Sequence, residues 1–191
     1  MSKLTRQRQP QILELCLAEN PVLREKCRHL SKDEILSSKI QNLIEDISFT
    51  NQKRESGVGL SANQVGEPLA ISVVGIKPTP ARPNLEPFEN VYINTEITET
   101  FGDLELMWEG CQNIVRDDEG LPLMAPVPRF AKIRIQYLDR NGKPCNEITE
   151  GFIAQVIQHE TDHFNGILFT DKINVADLIS NKEYREITKI P

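Results

Sequence analysis

The chain has 191 residues, 39% of them hydrophobic and 26% charged, which fits one globular domain with a real core and excludes a disordered chain. Its formal net charge of −6 argues against a dominant nucleic-acid-binding role. The longest strongly apolar run, Leu69 to Ile76, is far too short to span a bilayer, and the polar start from Met1 to Gln11 lacks the apolar core of a signal peptide.

The cysteines add a compartment. Cys16, Cys27, Cys111 and Cys145 are irregularly spaced and form no Cys-x-x-Cys pair. We therefore expect a cytoplasmic, reducing environment, with thiols free or on a metal. Lys3, Arg6 and Arg8 make the extreme N-terminus mildly basic, too weak a signal for a transit peptide.

In chain order, Asn20-Pro21 reads as a turn. Ser31-Lys32-Asp33-Glu34 has the capping-box pattern, and Leu36, Ile40, Leu43 and Ile47 follow at helical spacing. This predicts one long helix from about Lys32 to Asn51. Gly57-Val58-Gly59-Leu60 comes next, two glycines that suggest a backbone something must approach. Leu69 to Ile76 reads as a buried strand, and Pro78, Pro80, Pro83 and Pro87 mark an irregular loop. Val91 to Thr100 and Ile133 to Asp139 alternate as strands do. Asn141-Gly142 is a hairpin signal, and the chain returns through Cys145 to Thr149. A helix is expected from Gly151 to His163, ended by Gly166, and a last helix from Val175 to Thr188. The order implies one α+β domain over residues 1–191.

The chemistry concentrates in Gln158-His159-Glu160-Thr161-Asp162-His163, a His-Glu-x-x-His pattern holding two of the three histidines in the chain. On a helix His159 and His163 share one face and can grip one metal ion, with Glu160 beside it as an acid/base group. Two ordinary histidines on an amphipathic helix is the plain alternative. A catalytic tetrahedral site usually needs a third protein ligand. The His-Glu-x-x-His-x-x-Gly-x-x-His extension fails, because Phe169 occupies the last position. Glu183 and Glu186 are candidates one helix length downstream. Cys111, in Trp108-Glu109-Gly110-Cys111-Gln112, is another, since a thiolate binds zinc or iron strongly. Position alone does not decide among them.

Three segments taken together do point one way. Gly57-Val58-Gly59-Leu60-Ser61-Ala62-Asn63-Gln64, Glu109-Gly110-Cys111 and the His-Glu-x-x-His segment resemble, in order, the three signature motifs of peptide deformylases. Asp139 to Pro144 resembles that family's hairpin before the metal helix, and the likeness runs from about Asn20 to Ile173. The resemblance implies mixed or antiparallel sheets packed around a central metal-binding helix, with a long N-terminal helix. It implies removal of the formyl group from the N-terminal formylmethionine of new polypeptides, with formate released. Cys111, His159 and His163 would hold one ion per chain, usually Fe2+, with Zn2+ or Ni2+ as substitutes. Glu160 would take a proton from the attacking water and give it to the leaving amine. The Gln64 side chain and the Gln112 backbone N–H would stabilise the developing oxyanion. Val58, Gly59, Leu60, Met107, Glu109, Gly110, Phe152, Gln155 and Val156 would meet the substrate. The partners implied are formylated nascent peptides and, through them, the ribosome, with neither nucleic-acid nor membrane binding.

The chain departs from the family pattern in places. Gln112-Asn113 stands where Leu-Ser is usual, which puts catalytic efficiency in question. Residues 116–124 form a longer, acidic stretch before Val127-Pro128-Arg129, with Met124 near the usual arginine position. Gln155 is polar where an aliphatic pocket residue is usual. A buried unpaired amide costs roughly 1–3 kcal/mol, so Gln155 is expected at the pocket rim or in a pocket of different preference. Ser61 replaces a common alanine. Asp162 either pairs with Arg129 inside or stays a surface carboxylate. The alternatives to a deformylase are a metal amidase with another N-acyl substrate and a weakly active or non-catalytic peptide-binding relative.

Overall fold

The computed structural model describes residues 8–54, 57–78, 86–114 and 116–188. The readings at Lys3, Arg6, Pro80 and Pro83 lie outside the described residues. A short helix, α1 (Lys32–Leu36), and a longer one, α2 (Ser38–Lys53), lead into β1 (Gly59–Ser61), β2 (Ile71–Ile76), β3 (Phe88–Glu109), β4 (Ala125–Leu138) and β5 (Pro144–Glu150). Helices α3 (Gly151–Phe164) and α4 (Asn181–Thr188) complete the chain. The strands form one antiparallel sheet in sequence order, β1-β2-β3-β4-β5.

The sheet is covered on both faces because its strands alternate two apolar sets. On β2, Ile71 and Val73 pack with Ile40, Ile44 and Ile47 of α2. Val74 and Ile76 point the other way and pack with Ala154, Val156 and Ile157 of α3. On β3, Val91 and Ile93 join the first cluster and Tyr92 the second. The result is three layers, with α3 buried against one face of the sheet.

The predicted single helix from Lys32 to Asn51 is broken at Ser37, whose ψ of 146° is extended. Two serine caps explain the break. Ser31 and Glu34 close a capping box on α1. The Ser37 hydroxyl then donates to the Glu34 carbonyl at 2.6 Å and accepts from Ile40 N–H, which starts α2 afresh. The last helix is also shorter than expected. Val175–Asp177 is a 3-10 turn, Ile179 bridges to Met124, and α4 begins at Asn181. β3 and β4 are longer than their alternation suggested, because register shifts at Ile93/Glu96, Ile97/Glu99 and Phe101/Leu104 interrupt the period of two. Leu69 makes an isolated bridge with Arg28, and the strand itself starts at Ile71. The Asp139–Lys143 loop closes the β4–β5 hairpin as expected, with Asp139 Oδ1 accepting from Asn141 and Lys143 N–H.

The segment before the first turn is strapped to α2. Asp46 accepts both guanidinium N–H groups of Arg8 and, at 2.7 Å, the Gln11 N–H. Leu13 N–H donates to Thr50 Oγ1. Burial alone would raise the Asp46 carboxyl, but Arg8 and the Gln11 N–H outweigh it and hold its pKa below the ordinary 3.8. A depressed carboxylate stabilises the fold fully above its unfolded value and loses that contribution as pH falls through its folded one. Asp46→Asn should therefore cost about 1–2 kcal/mol at neutral pH in urea unfolding, with the gap to wild type closing below pH 3.8. An equal gap at every pH would contradict this role.

Candidate active site

Helix α3 carries His159 and His163 one turn apart, their ring centroids 4.9 Å from each other. The helix stops at Gly166, which is left-handed at φ 68°, and a Cβ there would collide with the Arg24 carbonyl. β1 crosses close to the helix. A Cβ on Gly59 would strike Glu160 Oε1 and come within 2.8 Å of Val156 Cγ1, so only glycine permits this approach. Cys111 follows the end of β3, and its Sγ lies 3.5 Å from His163 Nε2. The ligand atoms of Cys111, His159 and His163 all lie within 4.8 Å of one another. Sulfur and nitrogen ligands at about 2.0–2.3 Å from one tetrahedral ion sit roughly 3.5 Å apart, which matches the Cys111–His163 separation. The donor set fits a four-coordinate catalytic metal with one open position. Glu183 and Glu186, the alternative third ligands, are exposed on α4, and Glu183 is engaged by Ser180.

A buried chain of charge stands behind the triad. His159 Nδ1 lies 3.0 Å from Glu109 Oε2, so Nδ1 carries the proton and Nε2 is left for an ion. Glu109 accepts from Arg129 Nε at 2.8 Å and Nη2 at 2.9 Å. Arg129 Nη1 donates to Asp162 Oδ2 at 2.5 Å, and Lys172 Nζ reaches the same oxygen at 2.9 Å. Asp162 thus pairs inward. Burial would raise Glu109, but His159 and Arg129 outweigh it and hold its pKa at about 2. Burial pushes His163 well below its ordinary 6.5, leaving the neutral imidazole that ligates metals.

Glu160 is 3% exposed, and its Oε2 has no hydrogen-bond partner among the described residues. Burial pushes its pKa up to about 7. Such a carboxyl can both take and return a proton near neutrality. Gln64 approaches from the other side. Its Oε1 accepts from Ser61 N–H at 2.8 Å and Ser61 Oγ at 3.1 Å. Its Nε2 donates to Asn113 Oδ1 at 3.0 Å and lies 3.5 Å from Cys111 Sγ. A flipped amide would set oxygen against oxygen at Asn113, so the N–H groups must face the metal ligands.

Residues 12–178 match the family model of polypeptide deformylases. The chain belongs to the peptide deformylase family. Peptide deformylase of Desulfotalea psychrophila is 36% identical over 163 residues, which covers 85% of this chain and 88% of that one. Peptide deformylase 2 of Nostoc sp. is 32% identical over 180 residues, 93% of this chain and 96% of that one. Among solved structures, the Met-Ala-Ser-bound class I type b peptide deformylase of Acinetobacter baumannii superposes with a TM-score of 0.78 at 28% identity. That match covers 86% of this chain and all of the other. The chain is therefore a metal-dependent hydrolase of the deformylase kind, acting on formylated peptides. No helix among the described residues is long and apolar enough to cross a membrane.

The deformylase departures can now be placed. Gln155 is buried but not unpaired, since its Nε2 donates to the Trp108 carbonyl at 2.8 Å. Val156 is buried, Val58 and Phe152 are half-buried against the same cluster, and Met107 is half-buried on β3. Leu60 points into the α2 core, leaving only its backbone to a substrate. The Glu109 side chain is likewise turned inward onto His159 and Arg129. Met124 packs over Gly110, where a Cβ would lie 2.7 Å from its sulfur. Phe169, unable to ligate, packs beside Cys111 and 6.3 Å from the His159 ring. Gln112 accepts from Arg54 Nη1 at 3.2 Å through its side chain and from Arg116 Nη2 at 2.6 Å through its carbonyl. In the acidic loop Asp117 accepts from the N–H groups of Glu119 and Leu121 and from Asn181 N–H at the start of α4. Sequence reasoning missed the Glu109–His159 bond, for which no local pattern gives a signal, and the Ser61–Gln64 clamp, whose Ser-x-x-Gln spacing is the capping-box pattern.

Removing one partner of a buried ion pair strands the other. Arg129→Met should destabilise the zinc-loaded protein by about 3–5 kcal/mol in urea unfolding. A loss below about 1 kcal/mol would show that the pair does not hold the site.

Proposed function

We propose that this chain removes the formyl group from the N-terminal formylmethionine of nascent polypeptides in the cytoplasm, as one domain spanning residues 1–191 and using one Fe2+. Cys111, His159 and His163 hold the ion, and Zn2+ or Ni2+ can replace it. When bound, the metal acts as a Lewis acid that acidifies water and polarises the formyl oxygen. The convergence of a thiol and two imidazoles beside a buried Glu160, whose Oε2 has no hydrogen-bond partner among the described residues, is the observation that carries this reading.

The remaining work belongs to side chains. Glu160 takes a proton from the attacking water and passes it to the leaving amine nitrogen. The bond from formyl carbon to nitrogen breaks, giving formate and a free methionine amine. Gln64, with its oxygen held by Ser61, turns an N–H toward the formyl oxygen, and the Gln112 backbone N–H is the second donor. β1 is the outer strand of the sheet, so an extended peptide can pair with Val58 to Leu60 by main-chain bonds. Such pairing tolerates many sequences, as an enzyme of nascent chains requires. The peptide seen in the Acinetobacter baumannii relative supports a substrate in this cleft. Val58, Met107, Phe152, Gln155 and Val156 surround the methionine side chain, beside the backbone of Glu109 and Gly110. Work on nascent chains brings the protein to the ribosome.

Formate release from a short N-formylmethionyl peptide, by anaerobically prepared ferrous protein, tests the reading. Glu160→Ala should keep its metal and lose at least about two orders of magnitude in rate. No release from wild-type protein carrying one ion per chain would point to a different acyl group or to a binding role.

A further inference from the structure

Asn113 is buried at 5% exposure, and two of the three hydrogen bonds of its side chain go to Gln64. Its Oδ1 accepts from Gln64 Nε2 at 3.0 Å. Its Nδ2 donates to the Gln64 carbonyl at 2.9 Å and to the Cys16 carbonyl at 2.8 Å. Cys16 N–H donates in turn to the Gln64 carbonyl at 2.9 Å. Neither amide can flip without facing donor to donor or oxygen to oxygen.

We propose that Asn113 is a positioning residue for the Gln64 amide, a role that rests on the deformylase reading above. A side-chain amide has two N–H groups. Asn113 engages one of them, and Ser61 holds the oxygen at the other end of the group. With both fixed, the second N–H has a single direction, toward Cys111 Sγ 3.5 Å away and hence toward a carbonyl bound there. A donor fixed before the reaction needs no reorganisation as charge develops on the substrate oxygen. The contact to Cys16 fastens this device to the strapped N-terminal segment, which runs back to α2 through Leu13 and Gln11. Asn113 itself touches no reacting atom, and its effect passes entirely through Gln64.

That exclusiveness is what a double-mutant cycle measures. Formate release is followed for wild type, Asn113→Ala, Gln64→Ala and the double variant, each with metal content and melting temperature recorded. Gln64→Ala should lower kcat by about 100-fold, the scale of one lost oxyanion donor. Asn113→Ala should lower kcat about tenfold with KM within about twofold, and the double variant should be no slower than Gln64→Ala. Losses that multiply in the double variant, or a change in KM alone, would overturn the proposal. Side-chain amide NMR of the zinc-loaded protein reads the same geometry without turnover. The Gln64 Nε2 protons should be well separated and slow to exchange in wild type, and should collapse toward free-amide behaviour in Asn113→Ala. Free-amide exchange in wild type would overturn the proposal even if the variant failed to fold. A wild-type protein that releases no formate would instead overturn the functional reading, and this proposal with it.

Discussion

A single buried carboxylate ties the candidate metal site to the sheet. Glu109 closes β3, accepts two bonds from Arg129 on β4, and faces His159 Nδ1 on α3. A charge this deep is tolerable only when paired, and here every partner comes from a different element. The arrangement therefore fixes three elements against one another at one point. Cys111 lies two residues beyond Glu109, so the same lock sets the thiol beside the two histidines. Glu109 also fixes the tautomer of His159, which decides the nitrogen offered to an ion.

The surrounding packing serves that lock. α3 can lie on the sheet because β2 and β3 present apolar residues on both faces. It can come within contact of β1 because Gly59 has no side chain there. Gln155 and Asn113, the two departures that most threatened a deformylase reading, both turn out to be satisfied amides. Gln155 anchors the helix to the Trp108 carbonyl, and Asn113 holds Gln64. Both side chains are hydrogen-bonded, so neither leaves a buried polar group stranded.

What was legible in the sequence was local. His-Glu-x-x-His with a terminating Gly166 marked α3, and apolar periodicity marked α2. The proposed ligand set of Cys111, His159 and His163 was singled out only through the likeness to deformylase motifs, since the residues alone left Glu183 and Glu186 open beside Cys111. The misses have physical causes. Ser37 restarts a helix because its hydroxyl caps, a competition that periodicity ignores. β3 runs to Glu109 because bulges hide its alternation. The side chain of Glu109, a residue expected at the substrate, is bound to residues 20 and 50 positions away, which leaves its backbone to the cleft. Long-range polar pairs leave no period in a sequence, so only a folded chain reveals them.

The central claim is that Cys111, His159 and His163 hold one metal ion together. Cobalt substitution tests it most directly, because Co2+ reports both coordination number and thiolate ligation in its absorption spectrum. One Co2+ per chain is expected, with tetrahedral d–d bands and a sulfur-to-metal charge-transfer band that vanishes in Cys111→Ser. A spectrum unchanged by that substitution, or without a thiolate band at full loading, would contradict the account.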